Sequence, residues 1–314
     1  MISFRYHIIT IVAIFLAVGL GLLVGNTVVQ PSLVRDLERR TNYLSNSLAD
    51  RWAEVGDLKA RVGQLERAGN VLRQLDNGGL TGVPVVVVTH QGVDAGLLAE
   101  TRAALDEAQA DTVAVLTMSD QMAAVDDATR QRLATILGEP SDIDAATLQR
   151  RAAEILAERL AVGPPRRDVP PPPDDVLDKL LTDPDGFLTS PGITRDDLQR
   201  IGGRDEVVVV ISGGQGDPAV QPKDFMVPLV EALAARGARV AAGESASTDY
   251  AFVGILRAVP ADVLQPGTIV TVDDLDFPIG GAALVLGLER LLGSAEGGDY
   301  GIKEGATSSI PPRQ

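Results

Sequence analysis

The 314-residue chain reads as an α/β protein in three parts: an N-terminal transmembrane helix, a parallel coiled-coil stalk, and a mostly parallel-sheet head. Three observations carry this reading. An uncharged apolar run opens the chain, a heptad pattern follows it, and two unbroken valine runs lie beyond. The corresponding segments are a signal anchor over 1–31, a stalk over 32–76 and a head over 77–314.

Composition narrows the function classes. A hydrophobic fraction of 45% is enough to build a core and excludes wholesale disorder. With 43 acidic against 28 basic residues the formal net charge is −15, which repels phosphate backbones and argues against a nucleic-acid partner. The absence of cysteine removes disulfides, thiolate metal sites and cysteine nucleophiles together. Only His7 and His90 carry imidazole, so a multi-histidine metal centre is excluded.

No Asp, Glu, Lys or Arg lies between Arg5 and Arg35, and Ile8 to Val29 is almost wholly apolar. Roughly 20 apolar residues rising 1.5 Å each cross a hydrocarbon core. No small-x-small cleavage pattern follows the run, so an uncleaved anchor is expected rather than a signal peptide. Arg5 on one side and Arg35, Arg39 and Arg40 on the other leave orientation undecided by charge. Ala13, Ala17, Gly21 and Gly25 recur every four residues, a spacing that lets two helices approach closely.

Heptads begin immediately afterwards. With Val34 at position a, the seam runs Val34, Leu37, Thr41, Leu44, Leu48, Arg51, Val55, Leu58, Val62, Leu65, Gly69 and Leu72. Nine of these twelve are Val or Leu, which predicts a coiled coil. Glu54 with Lys59 and Arg61 with Glu66 place opposite charges at the flanking positions that bridge a parallel pair. The expected partner is a second copy in a parallel homodimer, or the coiled coil of another protein.

Asn77-Gly78-Gly79 ends the stalk, and β-branched runs then alternate with amphipathic ones. Strands are predicted at Val83–Thr89, Thr112–Met118, Val207–Ser212, Ala238–Ala242 and Thr268–Val272. Helices are predicted at Ala95–Ala108, Ala124–Leu137, Ile143–Ala161, Asp224–Arg236 and Ile279–Leu292. Unbroken runs such as Val85–Val88 and Val207–Val210 fit strands buried on both faces, as in a helix-covered parallel sheet. The proline-rich stretch 163–175 reads as an extended connector inside one domain, and the chain from about 296 reads as a flexible tail.

Candidate chemistry is sparse, and no catalytic residue or resident cofactor is assigned. Ser212-Gly213-Gly214-Gln215-Gly216-Asp217 follows a predicted strand, where glycines let a backbone approach a phosphate. It matches neither GxGxxG nor GxxxxGK[ST] and reads as a strand-to-helix turn. His90 lies at a strand end with no GxSxG elbow to supply a nucleophile, which makes it structural. Asp273, Asp274 and Asp276 are candidates for a hard cation, and the same residues suit helix caps. Met118 and Met122 are the only pair resembling a soft Cu(I) site, and core packing explains them more simply.

Both ends of the chain carry a resemblance. Met1-Ile2-Ser3-Phe4-Arg5-Tyr6-His7, the apolar run through Phe15-Leu16-Ala17 to Gly25, and the stalk are similar to the start of the actinobacterial MctB family. Thr271-Val272-Asp273-Asp274-Leu275-Asp276 and Asp299-Tyr300-Gly301-Ile302-Lys303 continue that similarity. The resemblance implies a cell-envelope membrane protein of copper transport, with a role in copper efflux and homeostasis and a head outside the cytoplasmic membrane. A SteB-like branch implies instead a coiled-coil scaffold that binds a SteA-like membrane partner in wall assembly or division. The family offers no catalytic motif to carry over. The residues themselves favour a dimeric, non-catalytic component over a pore, because only one helix is long enough to cross.

Overall fold

The computed structural model describes residues 4–28, 39–41, 44, 48, 51–52, 55–56, 59, 63, 79–164, 175–184, 186–194 and 197–312. The chain divides into two units, Met1–Gly63 and Gln64–Gln314.

In the first unit, α1 spans Phe4–Val28. Within it, Tyr6–Gly25 has a mean hydropathy of 2.8 and no buried residue, which is long and apolar enough to cross a membrane. Ala13, Ala17, Gly21 and Gly25 are all exposed along it, and open space surrounds Gly21 and Gly25. Of the predicted seam, Leu44, Leu48 and Val55 are helical and exposed, as is Trp52 beside them. Val34, Leu37, Leu58, Val62, Leu65 and Leu72 lie outside the described residues, and so does most of the predicted stalk.

The second unit is a three-layer α/β/α arrangement. Its strands are β1 Pro84–His90, β2 Asp111–Met118, β3 Leu188–Thr189, β4 Val207–Ile211, β5 Arg239–Gly243, β6 Val270–Val272 and β7 Gly298–Tyr300. They form one sheet in the order β3-β2-β1-β4-β5-β6-β7. Every pairing is parallel except β2 with β3. Helices α2 Ala95–Glu107 and α8 Pro278–Ser294 pack together on one face. On the other lie α3 Asp127–Leu137, α4 Ala145–Val162, α5 Val176–Thr182, α6 Met226–Ala235 and α7 Val253–Arg257.

The valine runs explain the layers. Val86, Val88, Val208 and Val210 enter the core with α4 and α6, whereas Val85, Val87, Val207 and Val209 enter the core with α2 and α8. A strand that alternates its side chains between two helical layers needs apolar residues at every position. Helix starts follow from capping: Asp94, Asp126, Asp144 and Asp175 each accept a main-chain N–H from the first turn they precede.

Two corrections concern the sheet edges. The chain beyond 296 contributes β7 and runs on against it, with Thr307 N donating to Asp299 O and Gly301 N to Ser308 O, in place of a free tail. The segment after the connector adds β3, antiparallel to β2. Connector residues 165–174 lie outside the described residues, but its flanks are tied down. Buried Arg159 on α4 donates through Nε to both carboxylate oxygens of Asp175 at 3.0 Å and through its other nitrogens to Ile201 O and Leu198 O.

Candidate functional site

In a sheet ordered 3-2-1-4-5-6-7, the chain winds outward in both directions from the boundary between β1 and β4. Ligands of such folds bind beyond the carboxyl ends of the strands at that boundary. Here β1 ends in His90 and β4 runs into Ser212-Gly213-Gly214.

His90 is buried, and its Nδ1 lies 2.8 Å from the Gln91 carbonyl. A carbonyl only accepts, so Nδ1 carries the proton and Nε2 is left as an acceptor. The Ser212 hydroxyl lies 3.1 Å from Nε2 and the Tyr250 hydroxyl 3.2 Å. Burial lowers the His90 pKa from its ordinary value, against smaller opposing effects of the Gln91 carbonyl and Asp120. Burial likewise raises that of Tyr250. The result is a neutral, hydrogen-bonded cluster from three distant parts of the chain. Ser212 is wholly buried, and among the described residues the other histidine nitrogen faces the Gln91 carbonyl and no carboxylate, so the cluster lacks the relay of a nucleophilic triad.

A second polar group lies at the ends of β5 and β6. Asp273 is fully buried, pairs with Arg257, and accepts the N–H groups of Ile302 and Lys303 through Oδ1. Lys303 donates to Glu244 Oε1 at 2.9 Å and to the Ser245 carbonyl at 2.7 Å. The other Glu244 oxygen accepts the N–H groups of Phe252 and Val253, closing the amino end of α7. Asp276 accepts from Ala246 N. Asp274 is 1% exposed, and among the described residues neither carboxylate oxygen has a hydrogen-bond partner on another residue. Its pKa is pushed up to about 6, first by burial and then by the charges of Asp273 and Asp276.

These placements decide how the candidate ligands sit. Asp273, Asp274 and Asp276 are neighbours in sequence, but Asp273 and Asp276 are committed to different partners. No group of three His, Asp or Glu side chains among the described residues is arranged to hold a metal ion. Met118 closes β2 and Met122 lies on a 3-10 turn, and both are buried in the core. A cleft of about 840 Å³ beside β7, whose lining includes Leu286, Arg290, Tyr300, Ile310 and Pro311, contains none of these residues.

Comparison with known proteins bears on the whole chain. Residues 1–311 match the family described as "Copper transport outer membrane protein, MctB". The chain belongs to the MctB family. Among curated relatives, "Copper transporter MctB" of Mycobacterium leprae (strain TN) is 26% identical over 329 residues, covering 100% of both chains. The proteins of the same name from Mycobacterium tuberculosis (strain ATCC 25618 / H37Rv) and Mycobacterium bovis (strain ATCC BAA-935 / AF2122/97) are 26% identical over 321 residues, covering 98% of each chain.

The MctB-like strings noted in the sequence now have structural places. Thr271–Asp276 forms β6 and the turn into α8, and Asp299–Lys303 forms β7 and the turn that closes over Asp273. The two strings meet through Arg257, which donates to Thr271, Asp273 and the Tyr300 carbonyl. Sequence reading missed Arg257, Glu244, Tyr250 and Lys303 as members of these clusters. Nothing local marks them, because each has a cluster partner at least 14 positions away in sequence.

Proposed function

We propose that this MctB-family protein is a membrane-anchored, non-catalytic component of copper efflux or homeostasis in the cell envelope. The observation that carries the proposal is the family match over residues 1–311, together with full-length relatives named copper transporters. The helix Tyr6–Gly25 is the anchor and the α/β head lies outside the cytoplasmic membrane. Copper is cargo that the protein helps to handle, not a resident cofactor. The one helix among the described residues that is long and apolar enough to cross has small residues at every fourth position, which favours close helix–helix contact and closes a lumen rather than lining one. Dimerisation through the heptad seam supplies the second copy.

The exposed apolar row Leu44, Leu48, Trp52 and Val55 favours a second reading of the same architecture. In that reading the stalk pairs with another membrane protein, as in a SteB-like scaffold, and copper is affected through envelope organisation. A deletion strain complemented with wild type or with Leu44→Asp/Leu58→Asp tests both. Direct copper handling predicts copper accumulation without wall defects in the seam variant, and scaffolding predicts the two together. Unchanged copper content in the deletion strain would refute the proposal.

A further inference from the structure

The cleft of about 840 Å³ lies between α8, β7 and the segment 307–312 that runs on past β7. Leu286, Ile310, Pro311 and Pro312 give it an apolar wall. Most polar groups on that wall are satisfied within the chain. Thr307 Oγ1 donates to the Asp299 carbonyl at 2.8 Å, and Ser308 Oγ donates to the Ile310 carbonyl at 2.7 Å. Asp299 Oδ1 accepts from Thr271 Oγ1 at 2.7 Å. Two donors are left over. Arg290 gives Nη2 to Glu296, and its Nε is buried with no hydrogen-bond partner among the described residues. Tyr300 is 2% exposed, and its hydroxyl makes no hydrogen bond among the described residues. A buried donor without an acceptor is costly, and here two such donors line one cleft. Glycines make room for the ring: a Cβ on Gly298 would collide with the Tyr300 hydroxyl, and one on Gly287 would sit 3.2 Å from the ring edge.

We propose that this cleft binds a small apolar carboxylic acid, with its carboxylate between Arg290 and Tyr300 and its hydrocarbon body against Leu286, Ile310 and Pro311. An apolar cavity with a few convergent polar groups is the usual form of a small-molecule site. A carboxylate only accepts, and its two oxygens match one guanidinium edge and one phenol. Burial raises the Tyr300 pKa, opposed by the nearby Arg290 charge, so the hydroxyl keeps the proton it donates. The Arg290 side chain is 26% exposed, so a modest rotation presents its free nitrogens to the cleft. Glu296 holds part of the Arg290 charge and Asp299 lines the same cleft, which favours a monoanion over a doubly charged phosphate. The site is separate from the copper proposal and stands or falls without it.

The test uses the full-length protein held in amphipathic polymer, since detergent micelles would absorb the probe, and titrates it calorimetrically with octanoate. Wild type should give a saturable isotherm about tenfold tighter than that of octanamide, which has the same tail and no charge, a ratio the size of one charge-assisted hydrogen bond. Arg290→Gln should weaken octanoate about tenfold, and Tyr300→Phe, which keeps the buried ring, about threefold or more. Octanamide affinity should stay unchanged in Arg290→Gln. If Arg290→Gln loses its thermal transition, Tyr300→Phe decides, together with the wild-type Tyr300 ring resonances, which should shift with octanoate. Absence of saturable octanoate binding, equal affinity for octanoate and octanamide, or an octanoate affinity unchanged in Tyr300→Phe would overturn the proposal.

Discussion

Arg257, the last residue of α7, pairs with Asp273 at the end of β6, and the same guanidinium donates to the Tyr300 carbonyl at 2.8 Å. One buried cation thereby joins the sheet to the segment that supplies its edge strand. Asp273 completes the join by accepting the N–H groups of Ile302 and Lys303.

Removing one partner of this pair should be costly. Arg257→Met leaves the Asp273 carboxylate buried without its counter-charge, and about 3–5 kcal/mol of stability should be lost. Arg257→Met/Asp273→Leu should recover only part of that loss, since the stranded charge is gone but the N–H groups of Ile302 and Lys303 lose their acceptor. Urea unfolding of the three proteins measures the difference. Hydrogen exchange at 298–303 should rise first in the single variant, because the edge strand loses its clasp.

Asp274 makes a prediction about pH. Its folded-state pKa of about 6 lies above the ordinary 3.8, so between those values the folded protein holds a proton that the unfolded chain has released. Stability contributed by this group is full below about pH 4 and is lost as pH rises through about 6. The loss amounts to at most about 3 kcal/mol, since each tenfold difference in proton affinity between the folded and unfolded states is worth about 1.36 kcal/mol. Asp274→Asn should flatten the wild-type decline between about pH 4 and 6 and raise the thermal midpoint at higher pH. An unchanged pH profile would show that the carboxylate is solvated in the folded protein.

The proposed stalk makes a prediction about pairing. In a parallel pair Val55 faces its own copy across the seam, so Val55→Cys should cross-link as a dimer in membranes under oxidising conditions. Adding Leu44→Asp/Leu58→Asp should reduce the yield several-fold. A cysteine at Val55 that never cross-links would argue against a parallel homodimer.

The head was legible where side chains carry the pattern. Unbroken valines announced β1 and β4 as doubly buried strands, and amphipathic runs placed helices such as α2 and α3 within a few residues of their ends. The edge strands were not legible. Leu188–Thr189 is two residues long, and Gly298-Asp299-Tyr300 has none of the β-branched character that marks a strand. That segment is recruited by parallel pairing with β6 and by Arg257, contacts that no local window contains. The short helices α5 and α7 escaped for the same reason: each is capped by Asp175 or Glu244, which also serves a distant partner.

The candidate sites divide along similar lines. His90 and the Ser212 loop were visible as strand ends, but their meeting through Tyr250 depends on 160 residues of separation between the histidine and the tyrosine. The aspartates of 273–276 were visible as a run of carboxylates. Their division into a clasped, an unpartnered and a loop-bound member depends on tertiary contacts.

The most direct test is copper flux through purified full-length protein in liposomes. A tethered component that handles copper without forming a pore predicts Cu(I) entry no faster than in protein-free vesicles, with Met118→Leu/Met122→Leu behaving identically because both side chains are core. Copper passage by the protein unaided, in proportion to the amount reconstituted, would contradict it.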